Sequence, residues 1–354
     1  MTTREIALRR LSNQHLRGKP FPSPVEAVRH FGAVQAQDYR GGLWAVGLRT
    51  RGADEAAVEK AIADRSIVRT WPMRGTLHLV AAEDVRWMLP LLTPRVISRT
   101  AGRHRQLGLE RSLFPVCRRL FEKALRGGGQ RTRDEMYGLL RAAGIPPDGQ
   151  RGIHILQQLA QDGVLCFGPR RGRQQTFVLL DEWVPPSSPR KRDEALADLA
   201  LRYFTSHGPA TAQDFAWWSG LSLADARRGL EIAASHLGRD SAVGPDLWGP
   251  RGASPPGARG ATALLLPPFD EFLVAYKDRG AAVDPAHVGH IPSLLSPTIA
   301  VNGRILGTWT RTLASDRVII APRYFERPTA PGLRLIAAAA RRYGAFLGLD
   351  AELK

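Results

Sequence analysis

Apolar positions recur at helical spacing through most of this chain and shift to short strand-like runs towards its end. Arg4–Leu16 and Ser23–Val34 read as helices. Trp71–Val80, WPMRGTLHLV, is strand-like with an interruption at Gly75, and Glu83–Leu89 is helical again. A clearer pattern follows. Phe114–Leu125 forms one helix, Thr132 caps a second that runs to Leu140, and a third carries Ile153, Ile155, Leu156, Leu159 and Ala160 on its apolar face. Two strand-like runs, Val164–Phe167 and Thr176–Leu180, flank GPRRGRQQ. Three helices and a hairpin make a winged helix-turn-helix.

The theme returns downstream. Asp193–Ser206 is a helix, Thr211 caps another through Trp217 and Trp218, Gly220 supplies a sharp turn, and Ser222 caps the next helix. Leu264–Leu266, Phe272–Tyr276, Thr298–Val301, Arg304–Trp309 and Arg317–Ile320 read as strands, with Asn302-Gly303 as a hairpin turn. Gly332–Leu347 closes the chain as a long helix. With proline-rich breaks at Pro185–Arg192 and Gly249–Gly260, and the three-helix pattern beginning after residue 100, the chain reads as four stretches: 1–100, 101–186, 187–248 and 261–354. The fold class expected is α+β, with tandem winged helices and a β-rich end.

Composition sharpens this. The 354 residues include 50 Lys and Arg against 33 Asp and Glu, a formal charge of +17. Fourteen bases and six acids fall within residues 101–173 alone. Such an excess suits a polyanion, most often nucleic acid. Arg170, Arg171 and Arg173 cluster at the hairpin and are candidate phosphate contacts. Arg74, Thr76 and His78 alternate with period two and can share a strand face turned to DNA. Two cysteines, Cys117 and Cys166, give neither a disulfide framework nor a zinc cluster. No apolar run spans a bilayer, and the N-terminus lacks a signal core, so a cytoplasmic protein without membrane contact is expected.

Phosphate-binding glycine loops, GxSxG elbows and HExxH motifs are all missing from the sequence. His287 and His290 have no companion ligand, and no metal or other cofactor is expected. Asp270-Glu271 suits pairing with Arg or Lys. In FGAVQAQDYRGG, Val28, Phe31 and Gln35 lie at i, i+3 and i+7, which puts Gln35 on the apolar stripe of its helix. Gln37 would then point away, and the two amides converge only if the helix ends near Gln35. Spacing alone leaves a capping role and a chemical role both open.

VQAQD, LWAVGLR, RTWPMRGTLHLVAAED, LLPPFDEFLVAYKDR and GTWTR together resemble the AlkZ/YcaQ-like family of winged-helix DNA glycosylases. The resemblance implies three tandem winged helix-turn-helix domains and a C-terminal β-rich element curved around a DNA channel. It implies excision of N7-alkylated purines from double-stranded DNA and, in the Gln-x-Gln branch that Gln35-Ala36-Gln37 matches, unhooking of interstrand crosslinks. Gln35 and Gln37 become the catalytic pair. Cationic N7-alkylpurines are good leaving groups, so two amides that orient water and sugar are chemically sufficient. With six Lys and none beside the motif, a monofunctional hydrolase is expected. A crosslinked guanine is tethered and cannot easily be flipped, which suits an open basic channel. The expected protein is a nucleoid-associated monomer. The competing readings are a winged-helix regulator, which would dimerise on paired half-sites, and an inactive binder of alkylated DNA.

Overall fold

A computed structural model of the protein describes residues 1–241, 245–252, 260–290 and 296–354. Contacts divide the chain into two compact units. One comprises Met1–Val58, Leu196–Trp218 and Ser222–Lys354; the other comprises Glu59–Ala195 and Ser219–Leu221. The break after Val58 lies inside the stretch 1–100, and the first unit joins the start of the chain to its end.

In the second unit the helices Leu113–Leu125, Arg133–Ala142 and Arg151–Gln161 precede the strands Leu165–Arg171 and Gln174–Leu179. Thr132 caps the middle helix reciprocally: its hydroxyl accepts the Glu135 N–H, and the Glu135 carboxylate accepts its own N–H. The apolar stripes meet in one core containing Cys117, Phe121, Met136, Leu140, Ile155 and Leu159, closed by Phe167 and Phe177 of the hairpin. Each such side chain contributes about 1.5–3 kcal/mol on burial. The hairpin reaches further than the sequence pattern suggests, and its tip is Gly172-Arg173. Strand Ile67–Met73 pairs antiparallel with both Thr76–Ala81 and the wing strand Leu165–Arg171. The helix expected at Glu83–Leu89 instead runs from Ala82 to Gln106, through Pro90 and Pro94. Buried Val85, Met88, Leu92 and Val96 hold it, so packing overrides the two missing N–H donors.

The first unit carries a five-stranded sheet in the order 350–353, 317–324, 304–313, 298–301, 263–266. Its neighbours are antiparallel except for the last-made strand, which runs parallel to Arg317–Tyr324. Asn302 and Gly303 adopt φ of 50° and 84°, as a two-residue hairpin turn requires. Helix Ala330–Leu347 buries Tyr343 and Phe346, and Trp44 from helix Tyr39–Gly47 packs 5.0 Å from each ring. Gly47 leaves no room for a Cβ beside Phe346. Helices Arg192–His207, Ala212–Ser219 and Leu223–Ala233 match the downstream expectation, with Thr211 and Ser222 accepting the N–H groups of Asp214 and Asp225.

Three expectations need correction. A hairpin, Leu237–Asp240 with Leu247–Pro250, follows the last of these helices where none was read. The strand expected at Phe272–Tyr276 is a helical turn, Glu271–Val274, because the Asp270 carboxylate accepts the Phe272 N–H and starts a turn there. The break expected at Gly249–Gly260 begins inside a strand, and its residues 253–259 lie outside the described residues. Among the described residues, no helix is long and apolar enough to cross a membrane.

Candidate active site

Helix Pro24–Phe31, capped by Ser23, stops at Gly32, whose φ of 77° only glycine adopts readily. The chain then straightens, and Val34–Gln35 is strand. Gln35 is therefore not on a helical stripe. The strand ends at Gln35, and the chain bends at Gln37 and Asp38 before the next helix. Gln35 is buried and Gln37 exposed. Ala36 meets the next helix at Gly42, where a Cβ would come within 2.6 Å of its own. Asp38 caps that helix by accepting the Gly41 N–H, and Gly41 abuts Pro268.

The segment rests on a buried polar network supplied by LLPPFDEFLVAY. Glu271 is wholly buried. Its Oε1 accepts the Gln35 backbone N–H at 2.8 Å, and its Oε2 accepts the Trp218 indole N–H at 2.9 Å and lies 3.3 Å from His207 Nε2. Burial lowers the His207 pKa, against the pull of Glu271, which favours the charged ring. Asp270 takes two hydrogen bonds from the Arg49 guanidinium, both 2.9 Å. Arg49 also donates to the Ala45 carbonyl and to Gln14 Oε1, each at 2.9 Å. Gln14 in turn donates to the Tyr276 hydroxyl, which donates to the His207 carbonyl.

The pairing expected of Asp270-Glu271 thus holds for Asp270, while Glu271 carries the Gln-x-Gln backbone instead. Sequence reasoning missed this, although an acid inside the apolar run FDEFL was a usable signal. Trp218 is core, whereas Trp217 stays 47% exposed, its indole donating to the Val274 carbonyl.

The sequence profile of the AlkZ-like DNA glycosylases matches residues 28–346. The chain belongs to the AlkZ-like DNA glycosylase family. It is 27% identical over 348 residues to the interstrand DNA cross-link repair glycosylase of Streptomyces sahachiroi, covering 90% of each chain. Its fold matches the Streptomyces sahachiroi DNA glycosylase AlkZ with a TM-score of 0.80 at 23% identity, covering 100% of this chain and 99% of that one.

Within the second unit of this AlkZ-like protein, the structure redraws the basic candidates. WPMRGTLHLV is a hairpin whose turn is Arg74-Gly75, with φ of 55° and 76°. Thr76 and His78 lie on one strand, but Arg74 belongs to the turn, and His78 is 0% exposed, so the expectation that it faces DNA is not met. The three still meet: the Arg74 guanidinium lies 3.3 Å from His78 Nε2, and His78 Nδ1 lies 3.0 Å from the Thr76 carbonyl. A neutral ring protonated at Nδ1 satisfies both contacts. At the wing, Arg170 is ion-paired with Glu59, and Arg171 with Glu135 at 2.9 Å. Arg173, at the tip, is exposed. Among the described residues, no group of three or more His, Cys, Asp or Glu is placed to hold a metal ion.

Proposed function

We propose that this AlkZ-like protein hydrolyses the N-glycosidic bond of N7-alkylated purines in double-stranded DNA and unhooks interstrand crosslinks formed through them. The carrying observation is the Gln35-Ala36-Gln37 segment beyond the helix end, where Gln35 is buried with its backbone N–H anchored by Glu271 and Gln37 is exposed. Water adds to C1′ as the bond to N9 breaks. The base leaves neutral because alkylation had made it cationic, and the proton of the water passes to solvent, leaving an abasic site. Gln37 orients the water, and Gln35 holds the deoxyribose or the same water. Neither role requires a carboxylate base when the sugar develops oxocarbenium character.

Arg170, Arg171 and Arg173, with Arg74 and Thr76, contact DNA in this reading, while the buried His78 holds the Arg74 guanidinium from behind. The architecture it takes is three tandem winged helices and a β-rich end around a DNA channel. The enzyme acts as a monofunctional, cofactor-independent monomer at the nucleoid. The name of the Streptomyces relative, a cross-link repair glycosylase, supports the crosslink substrate.

The test is single-turnover release of N7-methylguanine from duplex DNA, with enzyme in excess and EDTA present. Release is expected, and Gln35→Ala and Gln37→Ala should each slow it by about 10²-fold. Duplex affinity should hold, because a neutral amide displaces no counterions. Parental release in both variants would make the glutamines structural. Tight binding without release would make the protein a non-catalytic binder of alkylated DNA.

A further inference from the structure

We infer that Glu271 is the positioning residue of the Gln-x-Gln segment: its buried carboxylate fixes the backbone that carries Gln35 and Gln37, without itself reaching DNA. The inference rests on the function proposed above. Glu271 joins three parts of the chain at one point, through the Gln35 N–H, the Trp218 indole and the His207 ring. Both of its oxygens are occupied, and both work as acceptors.

An apolar residue there would leave the Gln35 N–H and the Trp218 N–H unsatisfied in the interior, so a buried acceptor is required on two sides at once. Only a carboxylate offers acceptors on both sides. An amide of the same shape has one oxygen, and its NH₂ must face either the Gln35 N–H or the Trp218 N–H. The rest of the segment is already confined, with Ala36 against Gly42 and Gly41 against Pro268. A donor–donor clash at Glu271 therefore moves the segment that carries the two glutamines. Misplacement by about 1 Å of groups that align water and sugar can cost about 10²-fold in rate.

The experiment compares the parental protein, Glu271→Gln, Glu271→Asp and the double variant Trp218→Phe/Glu271→Gln. Four quantities are read: single-turnover release of N7-methylguanine, duplex affinity, thermal midpoint, and backbone hydrogen exchange in the peptide spanning 33–38. Glu271→Gln should slow release about 10- to 100-fold with duplex affinity unchanged, and should speed exchange at Gln35. Removing the opposing indole donor with Trp218→Phe should recover much of that loss. Glu271→Asp keeps the charge one methylene short, and should also slow release if the amide variant fails to fold. Release at the parental rate per folded molecule in both single variants, with parental exchange at Gln35, would overturn the inference. A lowered thermal midpoint with unchanged release would do the same, reducing Glu271 to a stability residue. If the parental protein releases no base, the proposed function falls, and exchange at Gln35 alone decides the positioning.

Discussion

Asp270→Asn would leave the Arg49 guanidinium charged where water does not reach it. The two side chains are 0% and 1% exposed, and two parallel N–H···O bonds of 2.9 Å join them. Asparagine returns one acceptor of the two and no charge. The remaining Arg49 partners, the Ala45 carbonyl and Gln14 Oε1, are neutral and cannot balance a buried cation. Breaking such a pair from one side costs about 3–5 kcal/mol. Against a typical total of about 5–15 kcal/mol, that is a large share of the stability. Urea unfolding followed by tryptophan fluorescence would measure it, since Trp44, Trp218 and Trp309 are buried in the same unit. Arg49→Met/Asp270→Leu removes both charges and should cost less than the two single changes added together. A loss below about 1 kcal/mol for Asp270→Asn, the range of a surface pair, would refute the reasoning and mean that water screens this contact.

Two other outcomes follow from charge. On duplex DNA, Arg173→Ala should reduce the slope of log K against log salt by about 0.9, and Arg170→Ala should do less, being ion-paired with Glu59; equal or absent changes on a salt titration would remove the wing tip from the DNA contacts. Burial lowers the His30 imidazole from 6.5 to about 4, against the opposing bond to the Asn13 carbonyl. The unfolded chain therefore binds a proton that the folded chain refuses. Stability should be full above about 6.5, fall by up to about 1.4 kcal/mol per pH unit on the way down to about 4, and then level off for this group. His207 acts in the same direction. Urea midpoints at pH 7.5 and pH 5 that coincide would show that these rings charge freely in the folded protein.

Sequence reading succeeded where local chemistry decides the structure. Thr132 with Glu135 and Ser222 with Asp225 set helix starts, and Asn302-Gly303 set a turn, each within a few residues. It failed where one local stop or cap outweighs the periodicity, and where distant contacts decide. Helical spacing from Val28 to Gln35 was genuine, yet Gly32 ended the helix before Gln35 was reached. The apolar run Phe272–Tyr276 suits a strand as well as a helix, and the Asp270 cap settled the matter. Pro90 and Pro94 concealed most of a 25-residue helix. The Gln-x-Gln pair was visible as a motif, but its support was not, because Glu271 stands 236 positions away and no periodicity links them.

That separation also sets a schedule for biosynthesis. Glu271 is translated 236 residues after Gln35, a delay of roughly 10–50 s at elongation rates of about 5–20 residues per second. Through that interval the nascent chain exposes Gln35-Ala36-Gln37 with no carboxylate to receive its backbone. Trp44 and Gly47 wait longer still, for Phe346 near the end of the message. Residues 59–195 can fold while they wait, since their core is drawn almost wholly from their own segment. A ribosome-bound chain stopped before Glu271 would therefore carry a formed wing and a Gln-x-Gln segment still without its buried carboxylate.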